Sequence, residues 1–410
     1  MMRMLTGAAA ACLIAPFALA PSSVPDPVPV SISVPVVPVV PVVPVAASGL
    51  RQTDVFIAGQ DGYHTFRIPS VIATAKGTLL AFAEARRAGA ADAGDIDLVL
   101  KRSRDGGVSW SPLQLVADDG GNTVGNPCPV IDRKTGTIWL LTTRNLGTDR
   151  EKDIIAGTAQ SSRSVWVMKS ADDGVTWSTA VDITSQVKRA DWTWYATGPG
   201  VGIQTHGVAT GAGSSHVRDR LVIPANHAEA GSGVHRSHLF YSDDGGKSWT
   251  LGADADAGTN ESQVVELADG RLMLNMRNHP PRPENFRLVA ISEDEGKTLT
   301  AGVPDPVLVE PPAQASLVRF SFTKPADRHR LLFANPASTK RERMTVRVSE
   351  DDGKTWAASR VIHEGPAAYS SLVVLPDSSI GLLYERGDRS AYETIAFARF
   401  TLDWVRAGSR

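Results

Sequence analysis

One octet recurs along the chain and limits what it can fold into. Ser103 to Trp110 reads SRDGGVSW, Ser170 to Trp177 SADDGVTW, Ser242 to Trp249 SDDGGKSW and Ser349 to Trp356 SEDDGKTW. Ser292 to Leu299, SEDEGKTL, is a worn copy that has lost its tryptophan. The shared form is S-x-D-x-G-x-T/S-W. Its Asp carboxylate can accept backbone N–H bonds inside its own tight turn. Its Gly supplies a positive φ where a side chain would clash. The hydroxyl residue adds local side-chain to backbone bonds. The Trp is a large apolar plug that locks the turn onto strands beneath it. A single copy is a hairpin turn; five copies are an architecture.

The copies begin 67, 72, 50 and 57 residues apart, and strand-like runs flank each one. Units of about 50 to 70 residues suit small antiparallel sheets stacked or arranged around an axis. Helix-period amphipathic runs are scarce, so an all-β chain is expected. With 42% hydrophobic and 21% charged residues there is ample material for a core. The formal net charge of −2 gives no bulk field toward nucleic acid or an anionic membrane.

Residues 1 to 20 read as a secretory signal: Arg3, an apolar run, then Ala18-Leu19-Ala20 as a small-x-small cleavage site. Pro16 interrupts the run, which is too short to span a bilayer, so no membrane span is expected in the mature chain. Residues 21–48 form a Val/Pro tract with extended geometry, read as a linker. After cleavage only Cys128 remains, which excludes an intramolecular disulfide. The histidines between 206 and 238 lack convincing metal-ligand spacing and read as surface or loop residues; no metal and no cofactor is expected.

The motifs between the octets are more specific. Phe66-Arg67-Ile68-Pro69 opens the globular part, and LLAFAEARR (residues 79–87) precedes a Gly/Ala-rich loop carrying Asp92, Asp95 and Asp97. Further on come Asn126-Pro127-Cys128-Pro129, Gly198-Pro199-Gly200, Asn260-Glu261-Ser262-Gln263, LMLNMR ending at Arg277, Arg341 eight residues before the last octet, Tyr369-Ser370-Ser371-Leu372, and Leu382-Leu383-Tyr384-Glu385. Taken singly, Arg67 is an edge-strand arginine, Asp95 and Asp97 cap turns, and Tyr369 is a core aromatic.

As an ordered set, these motifs resemble the sialidase (exo-α-sialidase, neuraminidase) family with its Asp-box repeats, across about residues 51–406. That resemblance implies a six-bladed β-propeller of four-stranded antiparallel blades, spanning residues 49–406 here. It implies that Arg67, Arg277 and Arg341 grip the substrate carboxylate, with Arg343 as the competitor for the third place. Arg86 lies near the substrate, Asn126 near the N-acetyl group, and Glu385 pairs with the first arginine. Tyr369 is the nucleophile, Glu261 its base, and Asp92 the acid that protonates the leaving group, with Asp95 as the fallback. The expected partners are sialylated glycans and the expected state is a monomer. Three guanidinium groups suit an anomeric carboxylate, and a neutral phenol can approach that anion where a carboxylate nucleophile would be repelled; sialidases are the Tyr-nucleophile exception among glycoside hydrolases. A trans-sialidase, a sialic-acid-binding propeller without catalysis, and a hydrolase of a related nine-carbon acid such as Kdn remain open.

Overall fold

The computed structural model describes residues 49–207, 218–280, 285–322, 327 and 329–408. The expected signal and Val/Pro tract, residues 1–48, lie outside the described residues. The described chain is all-β, in four sheets of seven, five, four and eight strands.

Strand pairing divides these sheets into successive antiparallel runs. The first run holds β2 (Thr65–Ala73), β3 (Leu79–Arg86), β4 (Ile96–Ser103) and β5 (Gln114–Ala117). The second holds β6 (Thr123–Ile131), β7 (Ile138–Asn145), β8 (Ser164–Ser170) and β9 (Val181–Asp182), with α1 (Glu151–Ile155) inserted after β7 and α2 (Thr184–Val187) following. The third holds β10 (Trp192–Thr197), a short β11 (Ile203–Gln204), β12 (Leu221–Glu229), β13 (His235–Ser242) and β14 (Thr250–Asp254). The fourth holds β15 (Thr259–Glu266), β16 (Leu272–Asn278), β17 (Phe286–Ser292) and β18 (Val303–Val309). The fifth holds β19 (Ser316–Arg319), β20 (Leu331–Pro336), β21 (Glu342–Ser349) and the first half of β22 (Ala358–Val374). The last joins the second half of β22 to β23 (Ile380–Arg386), β24 (Thr394–Phe400) and β1 (Leu50–Ile57), so the N-terminal strand completes the C-terminal sheet. A single parallel contact, Ile96 to Thr123, links the first two runs. Strands of successive runs touch in order: β2 with β6, β6 with β10, β12 with β15, β15 with β19, β19 with β22, and β22 again with β2.

The core lies in the seams between runs, which explains why the strands read as continuous apolar sequence. Along β3, Leu79, Ala81, Ala83 and Ala85 face the seam with the last run, while Leu80 and Phe82 face the second. Side chains alternate across a strand, so Glu84 and Arg86 continue the Leu80–Phe82 face.

The octets clamp these seams. In the first, the Asp105 carboxylate accepts bonds from Ser103 Oγ (2.8 Å), the Val108 and Ser109 backbone N–H groups (3.0 Å each) and Ser109 Oγ (2.5 Å). Gly107, at φ +87°, lies so close to Phe397 of the last run that a Cβ would sit 2.2 Å from its ring. Trp110 packs edge-on to the same Phe397 at 5.4 Å. Trp177, Trp249, Leu299 and Trp356 likewise enter the clusters between their own run and the one before. The seam between the fifth and last runs has no octet; Trp404 of α3 (Leu402–Ala407) packs into it.

Two expectations need correction here. His227, His235 and His238 are buried on β12 and β13 rather than lying on the surface or in loops. Their place among aromatic rings, with Trp192 stacked 3.5 Å from His227, pushes the pKa of His227 down to about 3 through desolvation first. Asp97 caps no turn: it is fully buried on β4, accepting from Tyr63 Oη at 2.6 Å and Arg87 at 2.8 Å. Asp95 also pairs with Arg87, at 3.2 Å.

Candidate active site

Five of the opening strands carry a register shift in the same stretch: Arg67 to Ser70 in β2, Gly125 to Cys128 in β6, Trp192 to Tyr195 in β10, Thr259 to Ser262 in β15, and Ala367 to Ser370 in β22. A bulge breaks the period-2 alternation and re-aims side chains. Here the bulges turn Arg67, Asn126, Trp194, Glu261 and Tyr369 toward one cavity of about 310 Å³. Two bulges hold residues in the left-handed region, Ile68 at φ 59° and Asn126 at φ 54°. For the β-branched Ile68 this is strain of order 1–3 kcal/mol, sustained only by surrounding contacts.

Those contacts are specific. The fully buried Glu385 carboxylate accepts from Arg67 Nε at 2.7 Å, from the Ile68 backbone N–H at 2.9 Å, and from the Tyr369 backbone N–H at 3.0 Å. One side chain therefore fixes the first arginine, the strained bulge and the tyrosine. Glu385 lies behind the cavity; the other eight residues singled out from the sequence all line it.

Tyr369 Oη donates to Glu261, whose two carboxylate oxygens both lie 2.7 Å away. Arg277 bonds Glu261 at 2.8 Å and reaches the phenol oxygen at 3.4 Å. Burial first, and the Glu261 charge second, hold the phenol pKa well above its ordinary value, while Arg277, Arg341 and Arg67 pull it back. The resting tyrosine is therefore protonated, with an acceptor in place.

Arg341 lies 5.4 Å from the Tyr369 ring centre and donates to Tyr392 Oη (2.6 Å) and the Pro312 carbonyl (2.8 Å). Arg67 and Arg277 each have a carboxylate partner, whereas Arg341 has none among the described residues. Arg343 points away, half-exposed, to Glu364 at 3.4 Å. Tyr392 ties the arginines together, with the Arg67 guanidinium 3.9 Å over its ring.

On another side, buried Arg86 donates to Glu84 at 2.6 Å and pairs with Asp92 at 2.7 Å. Burial would raise the Asp92 pKa, but Arg86 and then Arg67 hold it below the ordinary value. Asp92 lines the cavity and Asp95 does not. Asn126 accepts from Thr143 Oγ1 at 3.2 Å, while its backbone N–H donates to Glu84 at 2.8 Å.

The sequence reading missed several members of this wall: Glu84, Glu151, Arg163, Trp194, Asn226 and Tyr392. Glu84 stands inside the quoted AFAEAR stretch, two positions from Arg86 on the same strand face, and that parity could have found it. The others carry no local signal.

The chain matches the model of the BNR repeat-like domain over residues 77–382. It is 35% identical to an exo-alpha-sialidase of Aspergillus fumigatus, over 85% of this chain and 86% of that protein. It is 33% identical to a sialidase of Micromonospora viridifaciens over 86% of this chain, which spans about half of that longer protein (54%). Among solved structures, the Hadza microbial sialidase Hz136 superposes with a TM-score of 0.74 at 31% identity, covering 85% of this chain and 68% of that one.

Proposed function

The chain belongs to the sialidase family, and on that footing we propose that it is a retaining exo-α-sialidase acting through a covalent link to Tyr369. Residues 49–406 are its catalytic domain, a propeller of six four-stranded blades. The successive antiparallel runs and the return of β22 to β2 support that architecture. Its substrates are terminal sialic acids on glycoproteins, glycolipids and oligosaccharides. The observation that carries the mechanism is Tyr369 Oη held at 2.7 Å from Glu261 beneath the arginine cluster.

The substrate carboxylate enters between Arg67, Arg277 and Arg341. Arg341, with no carboxylate partner among the described residues, gains the most from that anion. This seats the anomeric carbon over the Tyr369 oxygen. As Tyr369 attacks, its proton passes to Glu261, the oxygen–carbon bond to the sugar forms, and the bond to the aglycone breaks. Asp92 delivers a proton to the departing oxygen. Its pairing with Arg86 is the resting arrangement. Once drawn away from that guanidinium and covered by bound substrate, its carboxyl loses solvent, and desolvation then favours the protonated acid. In the second half-reaction Asp92 takes a proton from water, the water oxygen attacks the anomeric carbon, and Tyr369 leaves with its proton restored from Glu261. The configuration is inverted twice and so retained.

Cleavage of a fluorogenic sialoside by the purified domain, with the first-formed anomer followed by NMR, tests this reading. Release of the α-anomer supports it; the β-anomer, or no cleavage, refutes it. We also propose export after cleavage at Ala20; a secreted product whose N-terminus lies well upstream of Pro21 would contradict this.

A further inference from the structure

The crossover from the fourth run to the fifth, residues 310–315, runs beside the arginine cluster, and a buried ion pair holds it there. Arg287 on β17 is fully buried and Glu310, just past β18, is 2% exposed; they meet at 2.7 Å, and neither lines the cavity. Stability alone does not account for such a pair, since apolar residues of similar volume often hold a fold as well. The groups it bonds are more specific. Arg287 Nε and Nη2 donate to the side-chain and backbone oxygens of Asn275 at 2.7 and 3.2 Å, and Nη1 also donates to the Ala313 carbonyl at 3.1 Å. The other Glu310 oxygen accepts the Asn278 backbone N–H at 2.7 Å. The β16–β17 ladder ends at the Met276–Leu288 pair, and beyond it Glu310 bonds the end of β16.

Both sets of contacts stop one residue short of the carboxylate grip. Asn278 follows Arg277 directly. Arg277 is anchored through one nitrogen: Nη1 bonds Glu261, while Nε is buried with no partner among the described residues. Its aim therefore depends on the backbone that carries it. Ala313 follows Pro312, whose carbonyl accepts from Arg341 Nη2 at 2.8 Å, and Ala313 itself packs beside Tyr369.

We propose that the Arg287–Glu310 pair positions Arg277 and Arg341 for the substrate carboxylate. The inference rests on the sialidase reading and deepens it with two positioning residues that never touch substrate. Glu310 pins the end of β16 that carries Arg277. Arg287 pins the peptide against which Arg341 rests. One pair thus sets the spacing of two guanidinium groups drawn from different runs, and a bound carboxylate reads that spacing through directional, charge-assisted bonds.

The test removes both charges at once. Arg287→Met with Glu310→Gln leaves no unpaired buried ion, whereas either change alone strands one; circular dichroism confirms the fold. On a fluorogenic sialoside KM should rise roughly tenfold or more, the scale of a weakened charge-assisted hydrogen bond. The fall in kcat should be no more than about threefold, since the lost contacts serve binding. The calorimetric Kd for free sialic acid should rise by a similar factor to KM. A merely structural role lowers the fraction of active enzyme, which reduces kcat at unchanged KM; that split overturns the proposal, and so do wild-type kinetics. Adding Arg277→Ala supplies a second readout. Because part of the effect runs through that guanidinium, the combined loss in kcat/KM should fall short of the product of the separate losses by about threefold or more; a full product overturns the proposal. Should the double variant fail to fold, Arg287→Lys is read the same way, since it keeps the charge but loses the fork that reaches Asn275 and Ala313 together. If the wild type cleaves no sialoside, the sialidase reading fails separately and calorimetry carries the test. Equal affinities of wild type and variant for the free acid then overturn the positioning role, as does a wild type that does not bind it.

Discussion

Replacing Glu385 should damage stability and substrate binding together, because one buried carboxylate serves three donors. Its partners are Arg67 Nε at 2.7 Å and the backbone N–H groups of Ile68 and Tyr369 at 2.9 and 3.0 Å, and the residue itself is fully buried. Glu385→Ala leaves the Arg67 guanidinium uncompensated, a loss of about 3–5 kcal/mol for breaking a buried pair from one side. Two orphaned N–H donors push toward the upper end. That is a large part of the roughly 5–15 kcal/mol that holds a domain folded, so this variant should unfold readily. Glu385→Gln keeps the volume and one acceptor oxygen but loses the charge, at a cost of about 1.5–3 kcal/mol. It should fold with a lowered thermal midpoint at fixed scan rate. Released from its carboxylate, Arg67 should turn toward Tyr392 and grip substrate less well, and the left-handed Ile68 loses the contact that offsets its strain. Expected kcat/KM falls about 10- to 100-fold, with KM carrying much of the loss. The assay is thermal unfolding beside steady-state kinetics on a fluorogenic sialoside. A Glu385→Gln enzyme with the wild-type midpoint and wild-type kcat/KM would refute the reasoning.

Asp92→Ala should lose much activity on sialyl-lactose and comparatively little on an aryl sialoside whose phenolate leaves without help; kcat/KM on both substrates reads this, and equal losses remove Asp92 as the acid. Arg341→Ala should weaken binding of a sialic-acid analogue by roughly 2–5 kcal/mol, whereas Arg343→Ala, whose side chain points to Glu364, should change it little; calorimetry on the pair decides the assignment. Gly107→Ala forces a side chain onto a left-handed backbone and into Phe397, at roughly 2–5 kcal/mol in all; an unaltered thermal midpoint would show that the octet glycines do not clamp the seams.

The sequence made the octets and the residues of the proposed site legible because both depend on short local patterns. Ser103, Asp105 and Gly107 act within one turn, so their spacing announces them. Arg67, Glu261 and Tyr369 lie inside motifs whose bulges are written into a few residues. Arg163, Asn226 and Tyr392 stay hidden because their meaning arises only when distant runs meet. Tyr392 matters through Arg341 and Arg67, which lie 51 and 325 residues away along the chain. Asp97 was misread because a carboxylate in a Gly-rich stretch looks like a turn cap until Tyr63 and Arg87 fold over it. The histidines misled for a similar reason: polar residue types at strand positions become buried when Trp192 covers them.

The covalent link to Tyr369 is tested most directly by trapping it. Brief incubation with a fluorinated sialosyl fluoride, which forms the glycosyl adduct quickly and hydrolyses it slowly, is followed by digestion and tandem mass spectrometry. The account predicts one fluorosialyl adduct, on the peptide containing Tyr369 and at that residue, absent from Tyr369→Phe. A fully turned-over reagent without adduct, or an adduct on Glu261 or Asp92, would contradict it.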